Sequence, residues 1–251
     1  MLFTLLKQNF TKAFIPILFF GWVACRSSFQ IQHSEIHSEK IEQGIADTGS
    51  EVADYLRPFR DSLSNITREE IGEARQAFVK KKPSGSLGNL VADVLFEQGH
   101  VSDSRCVAAV MNYGGIRLNE LPAGPITIGK IFELLPFDNE VVILPVSGTL
   151  LSRWLLHAGR SGGWPLSSSL HSHLGKDNRI EIILNGLALS NDSIYYIATN
   201  DYVAGGGDAC DFLQSVPMKH TQVLLRDAML QYIRSHPSLS ADTVNRFIIE
   251  P

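Results

Sequence analysis

Three short segments of this sequence combine residue types suited to gripping a small, polar and aromatic ligand. The first is Asn112-Tyr113-Gly114-Gly115-Ile116-Arg117, directly after an apolar run and followed by Leu121-Pro122-Ala123-Gly124-Pro125. Paired glycines at a strand end let the backbone approach a ligand closely, which gives Gly114 and Gly115 the role of a cradle. Asn112 and Arg117 add directional donors, and the planar fork of Arg117 matches a phosphate through two parallel hydrogen bonds. On its own, the segment reads equally well as a glycine-rich turn with a surface arginine.

The second segment, Leu135-Pro136-Phe137-Asp138-Asn139, sets a ring beside an amide. Phe137 at a loop apex can stack on a base, an interaction of about 1–3 kcal/mol per base in single-strand binding. Asn139 can hydrogen-bond to base or ribose. Taken alone, Phe137 reads more readily as a core residue. The third segment runs from Ala198 through Asn200, Tyr202 and Gly205-Gly206-Gly207 to Asp208. Tyr202 offers a second ring to pair with Phe137. Asp208, as a carboxylate, only accepts hydrogen bonds and so suits the hydroxyls of a ribose. The glycine spacing matches neither a Walker loop nor a dinucleotide fingerprint.

Strands and helices must hold these segments. Arg105–Met111, Glu140–Val146, Arg179–Leu184 and Ser193–Thr199 are short, β-branched runs between turn residues and are predicted strands. Apolar residues recur at helical spacing over Glu51–Ser62, Leu87–Gln98 with Gly99 as a stop signal, Thr127–Leu134, Thr149–His157 and Gln222–Arg234. The charge content of Asn65–Lys82 suits a helix. Ser161–Asn178, rich in serine, glycine and histidine, reads as a surface loop or lid-like insertion.

The composition narrows the function classes. With 251 residues, 44% hydrophobic and 19% charged, the chain can bury an ordinary globular core. A net charge of -4 leaves no broad basic field, so nucleic acid is not an expected partner and any phosphate affinity is local. Cys25, Cys106 and Cys210 show no zinc or disulfide spacing. None of the eight histidines stands in an Asp-x-His or Gly-Asn-His-Glu arrangement of a dinuclear metal site. His171 and His173 come nearest to a ligand pair, and their serine-rich setting favours solvation or adventitious metal binding.

The N-terminus reads as an address. Lys7 and Lys12 precede an apolar stretch, Ala13–Ala24, that is short for a membrane span and broken by Pro16. It ends Gly21-Trp22-Val23-Ala24-Cys25, similar to a bacterial lipobox with Trp22 where leucine is usual. The expectation is a signal peptide over 1–25, lipidation of Cys25, a polar tether over 26–50 and a folded domain over 51–251. The alternative leaves Cys25 as a plain unpaired thiol.

Together the three ligand segments resemble the C-terminal, substrate-binding domain of the 5'-nucleotidase family. That resemblance implies an α+β fold, a layered sandwich of helices and mixed sheets, and it makes Ile66–Arg75 a strand. It implies substrate contacts from Asn112, Gly114, Gly115, Arg117 and Asn139, stacking by Phe137 and Tyr202, and ribose binding by Asp208. Tyrosine in place of the common phenylalanine leaves the stacking face unchanged. An arginine that the family carries upstream of Leu87-Gly88-Asn89-Leu90 falls on Lys81, or on Lys82, with Ser84 in place of a family glutamate. Lysine keeps the charge and loses the fork. In the family, hydrolysis of the phosphoester belongs to a separate N-terminal domain with two metal ions.

The resemblance therefore implies a nucleotide-binding half of a phosphohydrolase, without cofactor in this chain, at the bacterial cell envelope. Its divalent metals are expected in a partner metallophosphatase chain. The alternatives are a non-enzymatic nucleotide-binding lipoprotein of the envelope, or a structural lipoprotein with a relic pocket.

Overall fold

Two of the predicted strands sit side by side at the centre of the fold, and their directions decide where the ligand segments emerge. A computed structural model describes residues 51–250; the expected signal peptide, Cys25 and tether lie outside the described residues. β3 (Cys106–Ala109), β6 (Glu140–Ser147), β10 (Ile194–Asn200) and β11 (Lys219–Leu224) form one four-stranded sheet in the order β11-β6-β10-β3. β10 runs parallel to β3, with Ile197 opposite Ala108, and antiparallel to β6, with Ala198 opposite Ile143. The C-terminal ends of β3 and β10 and the N-terminal end of β6 therefore share one end of the sheet. All three ligand segments lie there.

The sheet is buried on both faces, which is why β6 reads as a continuous apolar run rather than an alternating one. Val141 and Ile143 enter one core, while Val142, Leu144 and Val146 enter the other. The first core is covered by α2 (Ser86–Ser102), through Leu87, Val91, Val94 and Leu95, and by α6 (Leu225–Ser235), through Leu225, Met229 and Ile233. A small sheet joins it, in which β1 (Glu70–Ala74) lies between β12 (Ser238–Leu239) and β5 (Gly124–Thr127). The second core holds α4 (Gly148–Arg160), with Leu151, Trp154, Leu155 and Ala158 buried.

A second four-stranded sheet packs on α4. β7 (Leu170–Leu174) pairs with β8 (Ile180–Leu184) and β13 (Phe247–Ile249), and β9 (Leu187–Ala188) extends β8. α1 (Glu51–Thr67), the two-stranded ribbon of β2 (Phe78–Val79) and β4 (Glu120–Leu121), α3 (Ile128–Leu134) and the short α5 (Asp201–Ala204) complete the described α-helices and strands. The fold is α+β, helices layered on mixed sheets.

Several elements differ from the sequence reading. The 161–178 stretch is not a lid-like insertion: Trp164 and Leu166 are buried, and β7 alternates Leu170, Ser172 and Leu174 inward with His171 and His173 outward. Histidine and serine hid a half-buried strand whose inward side chains fill the second core. α2 continues past Gly99 to Ser102. A Cβ at Gly99 would stand 2.7 Å from Ala198 and 3.0 Å from the sulfur of Cys106, so the glycine serves close helix–sheet packing rather than a helix stop. α1 runs through Pro58 to Thr67, which moves the start of the following strand from Ile66 to Glu70. The first residues predicted for the last helix instead form the end of β11.

Three carboxylates couple this architecture to pH. Asp103 is bridged by Arg105 at 2.7 Å and Lys219 at 3.0 Å, and hydrogen bonds from Arg105 hold its carboxyl well below the usual range. For Glu140, burial pushes upward but His220 and the Gln222 amide outweigh it and lower the pKa. Asp242 behaves likewise, with the Val244 amide and Arg246 outweighing its burial. Each folded-state value lies below the unfolded one, so each contributes stability above about pH 4 that is lost as the pH falls. The thermal unfolding midpoint is expected to decline progressively below about pH 4, with calorimetry at stepped pH as the check; a midpoint that rises on acidification contradicts this linkage.

Candidate ligand-binding site

At the shared end of the central sheet, Asn112, Gly114, Gly115 and Arg117 from the first segment meet Phe137 and Asn139 from the second and Tyr202 and Asp208 from the third. They line one cavity of about 410 Å³. That volume lies within the range of small-molecule sites. Lys81 is not among the lining residues; the lysines on either side of it are the ones directed towards Tyr113.

The first and third segments are tied together by a directed chain of hydrogen bonds. The amide of Val203 donates to Asn200 Oδ1 at 2.8 Å, which caps α5 and leaves Asn200 Nδ2 to donate to Asn112 Oδ1 at 2.8 Å. Asn112 Nδ2 then donates to Asp208 Oδ2 at 2.7 Å. Both asparagines are buried, and this sequence of donors and acceptors sets the orientation of each amide. Asn112 thus holds the acceptor Asp208 in place as well as lining the cavity.

Asp208 itself occupies a left-handed backbone conformation with φ 52°, followed by Ala209 at φ 60° and preceded by Gly206 at φ 97°. For non-glycine residues this costs about 1–3 kcal/mol each and persists only where the surroundings enforce it. The hydroxyl of Tyr202 donates to Asp208 Oδ1 at 3.1 Å, and the Asp208 amide donates to that hydroxyl at 3.3 Å. The tyrosine hydroxyl therefore has work that a phenylalanine could not perform, beyond the unchanged ring face expected from sequence. A Cβ at Gly207 would stand 2.4 Å from the Tyr202 ring, so glycine is required where the ring lies over the loop.

The Phe137 loop is fixed from two sides. Asp201 Oδ1 accepts from the amides of Glu140, at 3.1 Å, and Tyr202, at 2.9 Å, so one carboxylate sets the spacing of the two aromatic loops. From α6, Arg226 donates to Asp138 at 2.6 Å and to the Pro136 carbonyl at 3.4 Å, while the Leu225 amide donates to the Asn139 carbonyl at 2.9 Å. Phe137 and Tyr202 are 47% and 49% exposed. Rings held this open on a braced loop are available to a ligand, which settles against a core role for Phe137.

Positive charge gathers beside the cavity. The ammonium of Lys80 lies 4.1 Å and that of Lys82 4.8 Å from the centre of the Tyr113 ring. Lys80 donates to the Ile116 carbonyl at 2.6 Å, and Lys82 to the Ser161 carbonyl at 2.5 Å. Burial and then the neighbouring Arg117 and Lys82 lower the pKa of Lys80, as expected where cations crowd. The guanidinium of Arg117 lies 5.7 Å from the Phe137 ring centre and makes a long contact, 3.4 Å, to the Gly114 carbonyl. Lys80, Tyr113, Asp201 and Arg226 escaped the sequence reading because their roles depend on partners distant in the chain.

Other chemistry lies elsewhere. Cys106 and Cys210 are free and buried, and burial pushes their thiols up to about 11 and about 12, away from the thiolate a nucleophile needs. His173 pairs with Glu250 at 3.2 Å on the second sheet. Among the described residues no three histidine, cysteine or acidic side chains converge as metal ligands.

Comparison with known proteins gives the family of the domain. Residues 65–215, more than half of the chain, match the family described as 5'-nucleotidase, C-terminal domain. The chain belongs to this family. It is 26% identical over 179 residues to a trifunctional nucleotide phosphoesterase protein of Bacillus subtilis, covering 63% of this chain and 12% of the relative. It is 24% identical to a 5'-nucleotidase of Vibrio parahaemolyticus, covering 76% of this chain and 35% of the relative. A solved 5'-nucleotidase precursor from Thermus thermophilus shares the fold, with a TM-score of 0.69 and 23% identity over 79% of this chain and 43% of that one. The chain thus spans less than half the length of each of these relatives.

Proposed function

We propose that this domain is the nucleotide-binding, specificity-setting half of a 5'-nucleotidase-type phosphohydrolase acting in nucleotide catabolism. The observation that carries the reading is the convergence of three chain-distant segments on one cavity with two open aromatic rings and a braced carboxylate in its lining. In this reading Phe137 and Tyr202 stack on the base, Asn139 bonds to base or ribose, and Asp208 accepts from ribose hydroxyls. Arg117, with Lys80 and Lys82 behind Tyr113, faces the phosphate; this trio takes the role that the family resemblance lends to Lys81. Gly114 and Gly115 let the backbone approach it.

The two metal ions of the hydrolytic reaction find no set of ligands among the described residues, so no bond-breaking step is assigned to them. A separate metallophosphatase chain supplies that chemistry, and the part of this domain is to bind and orient the nucleotide. Export through the segment 1–25 and lipidation of Cys25, with 26–50 as tether, would place the domain 51–251 at the bacterial cell envelope, facing the periplasm or at the outer membrane.

The test is to co-express the full chain with a metallophosphatase and assay AMP hydrolysis. Activity is expected to require both chains and to collapse when Arg117 is replaced by alanine, by about 10- to 100-fold in kcat/KM for loss of a charged phosphate contact. Hydrolysis by the partner alone at the same rate overturns the reading.

A further inference from the structure

We infer that His157 is a positioning residue for Asp208, holding from the end of a rigid helix the left-handed loop that presents the carboxylate. His157 Nε2 lies 2.8 Å from the Asp208 carbonyl oxygen. A carbonyl only accepts, so Nε2 carries the proton and donates. The imidazole stands in the last turn of α4, edge-on to Trp164 and Phe212, with centroid distances of 5.8 Å and interplanar angles of 87° and 70°. Phe212 is covered in turn by the Arg153 guanidinium at 4.6 Å. Packing between two rings at the end of a helix gives the donor a single direction.

The other polar groups of Asp208 are held by residues that line the cavity. Its carboxylate accepts from Asn112 and Tyr202, and its amide donates to the half-exposed Tyr202. The peptide that joins Asp208 to Ala209, two residues with positive φ, is tied through its carbonyl to α4 by His157. Without that tie the peptide is free to rotate towards a less strained conformation, and rotation carries the carboxylate away from Asn112. His157 does not line the cavity, so it acts through Asp208. Recognition of the ribose should depend on it and recognition of the base should not.

The ligand part of the test rests on the nucleoside-binding reading; a second measurement needs no ligand. In the full chain, His157→Phe keeps an aromatic ring between Trp164 and Phe212 and loses the donor, while His157→Gln keeps a donor. Adenosine and free adenine are titrated by calorimetry, and amide hydrogen exchange is followed over residues 207–210. For His157→Phe we expect adenosine affinity to fall about tenfold with adenine affinity unchanged, and exchange in the loop to accelerate. His157→Gln should restore most of both, and unfolding midpoints should match across the three proteins. Unchanged loop exchange in His157→Phe, or parallel loss of adenosine and adenine binding, overturns the inference. If the wild-type chain binds neither probe, the nucleoside reading fails, and the exchange comparison alone decides the role of His157.

Discussion

Replacing Phe137 and Tyr202 together by alanine is expected to lower nucleoside affinity by on the order of 10²-fold or more while leaving the fold intact. Each ring stacked on a base contributes about 1–3 kcal/mol, and every 1.4 kcal/mol is a factor of ten. Their exposures of 47% and 49% put neither ring in a core, so truncation leaves no buried cavity, and stability should fall only by the lost Tyr202–Asp208 hydrogen bonds, about 1–2 kcal/mol. Calorimetry with adenosine, paired with thermal unfolding of the double variant, checks both halves. Undiminished affinity would mean that the ligand sits elsewhere. The single substitution Tyr202→Phe separates the ring from its hydroxyl: stacking survives, and only the contact to Asp208 is lost.

The largest effect on stability is expected outside the cavity lining, at Arg246. Its side chain is 2% exposed and grips Asp93 with both terminal nitrogens, at 2.8 and 2.7 Å, and Asp242 at 2.6 Å. It also donates to the Leu166 carbonyl at 2.9 Å, so one guanidinium joins α2, the stretch leading into β7 and the 242–246 segment. Substitution by alanine leaves two carboxylates facing each other without a counter-charge, which for buried pairs costs about 3–5 kcal/mol. Asp93 and Asp242 are 29% and 41% exposed and regain some water, which places the loss towards the lower end. Against a total of about 5–15 kcal/mol for a domain, this is a large fraction. Urea unfolding should show the midpoint falling steeply for Arg246→Ala, with Arg246→Lys recovering only part because an ammonium cannot bond both oxygens of Asp93 as a fork. A midpoint equal to the wild type would refute this account of the cluster.

The ligand segments were visible in the sequence because their signals are local. Glycine pairs, an aromatic beside an amide and a carboxylate after three glycines are each ambiguous alone, but together in one order they point to one site, and the strands that carry them are short apolar runs. The same holds for α2 and α4, whose apolar spacing marks their buried faces. Where a local signal had two explanations, the sequence reading went astray. Gly99 looked like a helix stop and proved to be a point of close packing; the serines and histidines around β7 looked like a loop and proved to be the outward and small inward positions of a strand.

By itself the sequence determined the chemical inventory: two rings, an arginine, an asparagine and an aspartate, each next to residues that permit tight turns, on a chain of α+β pattern. How they combine depends on the packing of elements distant in the chain. It is the parallel pairing of β3 with β10, and the antiparallel pairing of β6, that bring the segments to one sheet end. It is the approach of chain-distant groups that turns Asn112 into a brace, gives the Tyr202 hydroxyl a partner and sets Lys80 and Lys82, rather than Lys81, against Tyr113. Hydrogen bonds and charge contacts act over a few ångströms in space, and separation along the chain carries no record of them.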